Sequence, residues 1–172
     1  WGLFSNQNDF QQHAFIIKSD GTGLISRIQE NEIYSSISGS TPDSNKLWGN
    51  LGGSDGQSHA FIINTDGTNF LDLTPQGAHG SFINGLTPDG TKAWGSCLGP
   101  GNQSRFFVTK IDGTDLVDLT PQGAINSWLG GITNDGSKLW GNYTDINGQI
   151  HAFITKIDGT SSFDLAPKGA TS

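Results

Sequence analysis

The stretch His59-Ala60-Phe61-Ile62-Ile63-Asn64-Thr65-Asp66-Gly67-Thr68 decides the fold. Its continuous apolar run reads as a strand buried on both faces. Asp66-Gly67 reads as a hairpin turn, because φ above zero costs Gly little and Asp tolerates it. The phrase that ends the stretch then recurs: Asp-Gly-Thr stands at 20–22, 66–68, 112–114 and 158–160, one copy every 46 residues. A second marker keeps the same interval at Trp1-Gly2, Trp48-Gly49, Trp94-Gly95 and Trp140-Gly141, with one extra residue in the first interval only. The chain is a four-repeat protein.

Outward from that stretch, the second repeat serves as template. Ile33 to Gly39 alternates apolar and small residues and predicts a strand with one packed face; Thr41-Pro42-Asp43-Ser44-Asn45 is a turn. Lys46 to Leu51 predicts a second strand, broken at Gly52-Gly53-Ser54-Asp55-Gly56 before His59 to Asn64. Phe70 to Leu73 is a fourth, and Thr74-Pro75-Gln76-Gly77 leads out. The third repeat gives strands at 80–86, 93–98, 105–110 and 116–119, and the fourth at 126–132, 139–143, 151–156 and 162–165. The first repeat shows only the last three, near Trp1 to Ser5, His13 to Lys18 and Leu24 to Ile28.

A period in the forties fits either helical repeats or four-stranded propeller blades. Helices fail, since Gly or Pro cuts each unit about every ten residues and Gly inside a helix costs about 1 kcal/mol. The expectation is an all-β fold, a β-propeller of four repeats of four strands, forming a single domain over 1–172 with repeats at about 1–32, 33–78, 79–124 and 125–172.

The stretch 81–93 has no counterpart before Trp1 or after Gly169-Ala170, so the first blade lacks its first strand. The edge at Trp1, Gly2, Leu3, Phe4 and Ser5 is then open to a partner. Three explanations follow: the sequence is a section of a longer propeller, a neighbouring chain donates the strand by β-augmentation, or the ring closes imperfectly. Strand donation from copy to copy would give homo-oligomers or fibres.

The phrases His13-Ala14-Phe15-Ile16, His59-Ala60-Phe61-Ile62 and His151-Ala152-Phe153-Ile154, each leading to Asp-Gly-Thr, resemble the HAF-type extracellular repeat of bacteria. The third unit departs, with Arg105-Phe106-Phe107-Val108 there. The turn Thr87-Pro88-Asp89-Gly90 resembles the PD40 repeats of TolB-like propellers. The resemblance implies a propeller-like protein, secreted or associated with the bacterial cell envelope, and carries no catalytic residues across.

Net charge is −7, so the chain offers no footprint for nucleic acid or an anionic membrane, and no apolar run is long enough for membrane insertion as a helix. The single cysteine, Cys97, excludes an internal disulfide and a cysteine-based metal cluster, and reads as a small buried apolar residue. His13, His59 and His151 share one repeat position, where hydrogen bonding to a neighbouring strand or turn is expected in preference to a metal or proton-transfer role. Asp55-Gly56 and Asp145-Ile146-Asn147-Gly148 faintly resemble calcium loops, but lack the further oxygen ligands and distal Glu, so turn chemistry is expected there and no metal site is assigned. Asp72, Asp118 and Asp164 are expected to accept backbone N–H groups. The repeating tryptophans are expected to pack in the core between blades.

Residues that break the repeat are the candidates for binding: Trp128 and Phe82, aromatic where the second repeat has Ser36, and Arg105. No nucleophile elbow, zinc-protease motif or phosphate loop is present, and no catalytic residue is assigned. The leading reading is a non-catalytic extracellular module for binding and assembly, whose partner is a protein, a copy of itself included. A lectin-like, carbohydrate-binding propeller and part of a glycan-processing enzyme are the alternatives.

Overall fold

The computed structural model describes residues 1–165, other than 6, 8, 9 and 27. Residues 6, 8 and 9 between the first two strands, residue 27 within the expected strand Leu24 to Ile28, and residues 166–172 with Gly169-Ala170 lie outside the described residues. The first repeat contributes β1 (Gly2–Ser5) and β2 (Gln12–Phe15); the second, β3 (Tyr34–Ser40), β4 (Lys46–Gly52), β5 (Ser58–Asn64) and β6 (Leu71–Asp72). The third contributes β7 (Ser81–Leu86), β8 (Lys92–Leu98), β9 (Ser104–Lys110) and β10 (Val117–Asp118), with a 3-10 turn at Pro100–Asn102. The fourth contributes β11 (Asn126–Ile132), β12 (Lys138–Thr144), β13 (Ile150–Lys156) and β14 (Ser162–Asp164). Each of the last three repeats forms one sheet in chain order, β3-β4-β5-β6, β7-β8-β9-β10 and β11-β12-β13-β14, while β1 and β2 form a two-stranded sheet.

The strand expected over Leu24 to Ile28 is reduced to one antiparallel bridge, Ile16 to Ile25. Beyond that bridge the Ile28 N–H donates to a side chain, Oε2 of Glu32 at 3.1 Å. Strands β6 and β10 are likewise shorter than their apolar runs suggest.

Asp-Gly-Thr builds the same hairpin four times. In the second repeat the Gly67 N–H donates to the Asn64 carbonyl and Oδ1 of Asp66 accepts both the Thr68 N–H, at 2.9 Å, and its hydroxyl, at 2.6 Å. Asp20, Asp112 and Asp158 do the same. The glycine sits at φ near +80°, as Gly67 does at 81°, where a Cβ would be strained.

The chain divides into two compact units, Trp1–Thr74 with Gly80–Ile83, and Pro75–His79 with the chain from Asn84. In the first, Ala14 and Ile16 of the first repeat bury against Ile37, Leu47, Leu51, Phe61 and Ile63 of the second. In the second, Phe106, Val108 and Leu119 of the third repeat bury with Leu139 and Phe153 of the fourth. This burial, at roughly 1.5–3 kcal/mol for each large apolar side chain, is what holds sheet to sheet within a unit.

The expected core packing is met in part by Trp94, which lies partly buried against the cluster of Phe106, Val108, Leu119, Leu139 and Phe153. Trp48 and Trp94 are half-buried, and Trp1 and Trp140 are exposed. Each complete repeat lays its indole across a glycine of its own first strand. A Cβ on Gly39 would meet Trp48 at 2.9 Å, one on Gly85 would meet Trp94 at 2.9 Å, and one on Gly131 would meet Trp140 at 3.1 Å. Beside Gly39 and Gly131 the register shifts, between Ile37 and Gly39 and between Leu129 and Gly131, so the ring covers a bulge. Trp1 has no such strand to cover.

Candidate functional site

Two places stand out: a basic residue paired with a carboxylate in every repeat, and the edge of β1. The first follows from strand register. The third strand of each complete sheet carries His59, Arg105 or His151 as its second residue, and the fourth places Asp72, Asp118 or Asp164 alongside. Nδ1 of His59 lies 2.7 Å from Oδ2 of Asp72, and Nδ1 of His151 lies 2.9 Å from Oδ2 of Asp164. Arg105 reaches Oδ2 of Asp118 at 3.6 Å. The other oxygens of Asp72 and Asp118 accept the N–H groups of Thr74 and Thr120.

The loop between the second and third strands adds another carboxylate. Both oxygens of Asp55 lie 3.2 Å from Nε2 of His59, and Oδ2 of Asp145 lies 3.5 Å from Nε2 of His151. Tyr143 stacks on the His151 ring, centroids 4.8 Å apart. Burial lowers the basicity of His59, yet its hydrogen bonds to Asp55 and Asp72 outweigh that and raise its pKa.

In the first repeat Ser26 replaces the aspartate, and sequence reasoning missed the substitute. Wholly buried His13 pairs with wholly buried Glu32, Nδ1 to Oε1 at 3.0 Å. The signal was present in the exit Ile28-Gln29-Glu30-Asn31-Glu32, where a glutamate stands at the position taken by Ala78 one repeat later.

Among the described residues no group of three or more His, Cys, Asp or Glu side chains could hold a metal ion. The calcium-like turns are used by the protein itself: Oδ1 of Asp145 accepts the Asn147 and Gln149 N–H groups, and Oδ1 of Asp55 that of Gln57. Cys97 is buried, and burial first, then the Asp118 charge, pushes its thiol up while Arg105 opposes. Among the described residues no helix is long and apolar enough to cross a membrane.

A cleft of about 470 Å³ in the first unit lies between Gln29–Glu32 and Gly53–Asp55, with Phe70, His59 and Asp72 on its wall. In the second unit the corresponding residues, Ala78, Gly99 and Arg105 among them, line a smaller hollow of about 190 Å³.

Of the divergent residues, Phe82 and Trp128 are both about half exposed, at 42% and 48%. Trp128 lies on the face of β11 that pairs with Asn142, whereas Arg105 turns to Asp118 in its own sheet.

The edge of β1 is set by its pairing. Gly2, Leu3, Phe4 and Ser5 face Phe15, Ala14, His13 and Gln12, and among the described residues β1 has no strand on its other side. The Ala14 N–H donates to Oγ of Ser35 at 2.8 Å and not to β1, so Leu3 and Ala14 form a non-hydrogen-bonded pair. The N–H and C=O of Leu3 therefore point to the open edge.

Three sheets of four short antiparallel strands and one of two, each laid in chain order, define an all-β protein of the β-propeller class. No family model and no curated protein matches the sequence. Solved structures do resemble it. A TolB structure from Agrobacterium tumefaciens matches with TM-score 0.64 and 16% identity over 95% of this chain and 59% of that one. TolB from Acinetobacter baumannii matches with TM-score 0.60 and 14% identity over 96% of this chain and 40% of that one. A chain of a nidogen/laminin complex matches with TM-score 0.52 and 15% identity over 95% of this chain and 56% of that one. The chain thus spans from two-fifths to three-fifths of the length of these structures. At such identities the likeness is one of fold, and it agrees with the TolB-like resemblance of the repeat.

Proposed function

We propose that this chain is part of an HAF-type repeat propeller of the bacterial envelope or exterior, working as a non-catalytic binding and assembly module. The observation that carries it is the open edge of β1. In the three complete sheets the strand bearing Trp48, Trp94 or Trp140 is paired on both sides, and in the first it is paired on one. An unpaired row of N–H and C=O groups is a template for an added strand, and main-chain hydrogen bonds supply the affinity. The occupant is a strand of the same kind as β3, β7 and β11, from another chain or from further sequence of this one. The neighbour from the nidogen/laminin complex belongs to a protein complex and supports a protein partner.

The test is a labelled peptide of β7 sequence, Ser81 to Leu86 with its flanking residues, titrated into the chain. Saturable binding that Leu3→Pro removes is the expected result. No binding to the folded parent overturns strand addition. Half-exposed Trp128 favours one second reading, stacking on a sugar. Glycan-array binding lost on Trp128→Ala would establish that reading.

A further inference from the structure

The second and third repeats carry the same hollow beside their basic residue, and the chain treats it differently in each. In the third repeat it holds a guanidinium. The Arg105 side chain lies across Gly99, where a Cβ would meet its Nε at 2.5 Å, and its head faces Oδ2 of Asp118 at 3.6 Å. The hollow that is left measures about 190 Å³. In the fourth repeat Tyr143 stands at the corresponding place and its ring stacks on His151.

The second repeat has the shorter His59 at the Arg105 position, and its imidazole lies over Gly53 as the guanidinium lies over Gly99. Here the hollow opens to about 470 Å³, inside the range of about 300–1,000 Å³ usual for ligand pockets. Buried Leu51 and half-buried Phe70 give it an apolar wall. All of its lining residues belong to the first compact unit.

Charge changes along with size. Where the third repeat has Gln76 and Gly101, the second has Glu30 and Asp55. With Asp72 they place three carboxylates on the cleft, and the described residues that line it oppose them with one imidazole and no lysine or arginine. Glu32, the remaining acid of the wall, has both oxygens engaged inside the fold, Oε1 by His13 and Ser35 and Oε2 by the N–H groups of Ile28 and Gln29. At neutral pH at least two negative charges therefore stay unmatched even with His59 protonated. The third repeat has the cation and one carboxylate; the second has the carboxylates, and open space where the longer cation would lie.

We infer that this cleft binds a guanidinium or ammonium group carried on an aliphatic stem, the stem along Leu51 and Phe70 and the head against Glu30, Asp55 and Asp72. Such groups lay their methylenes on apolar surface while the charged end makes charge-assisted hydrogen bonds. An arginine or lysine side chain of a protein partner and a free polyamine share this chemistry. None of these residues lies in β1, so the inference does not rest on strand addition. Leu3→Pro leaves amine binding intact, and either reading can fail alone.

The test is an NMR titration of the folded chain with Nα-acetyl-arginine amide, Nα-acetyl-lysine amide, spermidine and the uncharged isostere Nα-acetyl-citrulline amide. Saturable shifts at Asn31, Ser54 and the His59 ring with a cationic probe, and none with the citrulline amide, are the expected result. Glu30→Gln, at an exposed side chain, weakens binding roughly tenfold. His59→Arg, which gives the cleft the guanidinium of the third repeat, abolishes it. Tighter binding of the arginine or lysine amide than of spermidine assigns the site to a polypeptide side chain, and the reverse order assigns it to a free polyamine. Absence of saturable shifts with every cation, equal binding of the citrulline amide, or binding unaltered by Glu30→Gln overturns the inference.

Discussion

Nδ1 of His13 lies 3.0 Å from Oε1 of Glu32, and both side chains are shut off from solvent. The same carboxylate accepts the N–H groups of Ile28 and Gln29 through Oε2 and the hydroxyl of Ser35 through Oε1. One side chain thus ties strand β2 to the turn that leaves the first repeat and to strand β3.

Glu32→Ala leaves these donors and a buried imidazole without their acceptor. Breaking a buried pair from one side costs about 3–5 kcal/mol. Urea unfolding should show that loss for Glu32→Ala and a smaller one for Glu32→Gln, which keeps an acceptor oxygen.

The turn aspartates make the fold sensitive to acid. Thr hydroxyls first, then backbone N–H groups, hold the carboxyls of Asp20, Asp66, Asp112 and Asp158 below their ordinary range. The Thr133 hydroxyl, followed by Ser137, brings Asp135 to about 2. A depressed folded pKa contributes stability that is present above the unfolded value of 3.8 and is lost as pH falls through the folded one. Thermal melts should drop progressively from about pH 4 downward. Asp135→Asn should flatten the most acidic part of that profile.

His59 works in the opposite direction. Its pKa is raised against the opposing effect of burial, so its contribution is present in full below the ordinary value of 6.5 and is lost as pH rises through the folded value. Ring-proton NMR should place its titration above 6.5 in the parent chain and move it down in Asp72→Asn.

Gly141 faces the backbone of the neighbouring strand. A Cβ there would sit 2.1 Å from the Trp128 carbonyl oxygen, and backbone cannot swing aside as a side chain can. Gly141→Ala should cost about 3 kcal/mol or more, read as a lower melting temperature, because β11 and β12 must part to admit the methyl.

The repeat, its strand order and its turns were legible because each depends on neighbours in sequence. Asp66-Gly67-Thr68 forms its hairpin with its own side chains, and the same three residues do so in every copy. The basic–acidic pairs were only half legible. His59 and Asp72 lie thirteen residues apart and meet because β5 and β6 pair, whereas the partner of His13 had moved from the Ser26 position to Glu32. Exposed Trp1 and Trp140 were misread because strict repetition fits any role within a blade, and packing over a glycine of the same sheet repeats as faithfully as packing between sheets.

By itself the sequence determined an all-β chain of four repeats and where its hairpins turn. Local rules suffice for this, since a turn is fixed by residues that touch along the chain. Only the tertiary structure decided which oxygen meets His13, that Leu3 directs its backbone groups to the open edge, and that Ala60 is buried while its counterpart Ala152 is exposed. Those facts depend on which strands lie side by side and which sheet lies over which, and burial is a property of that arrangement, not of any residue in it.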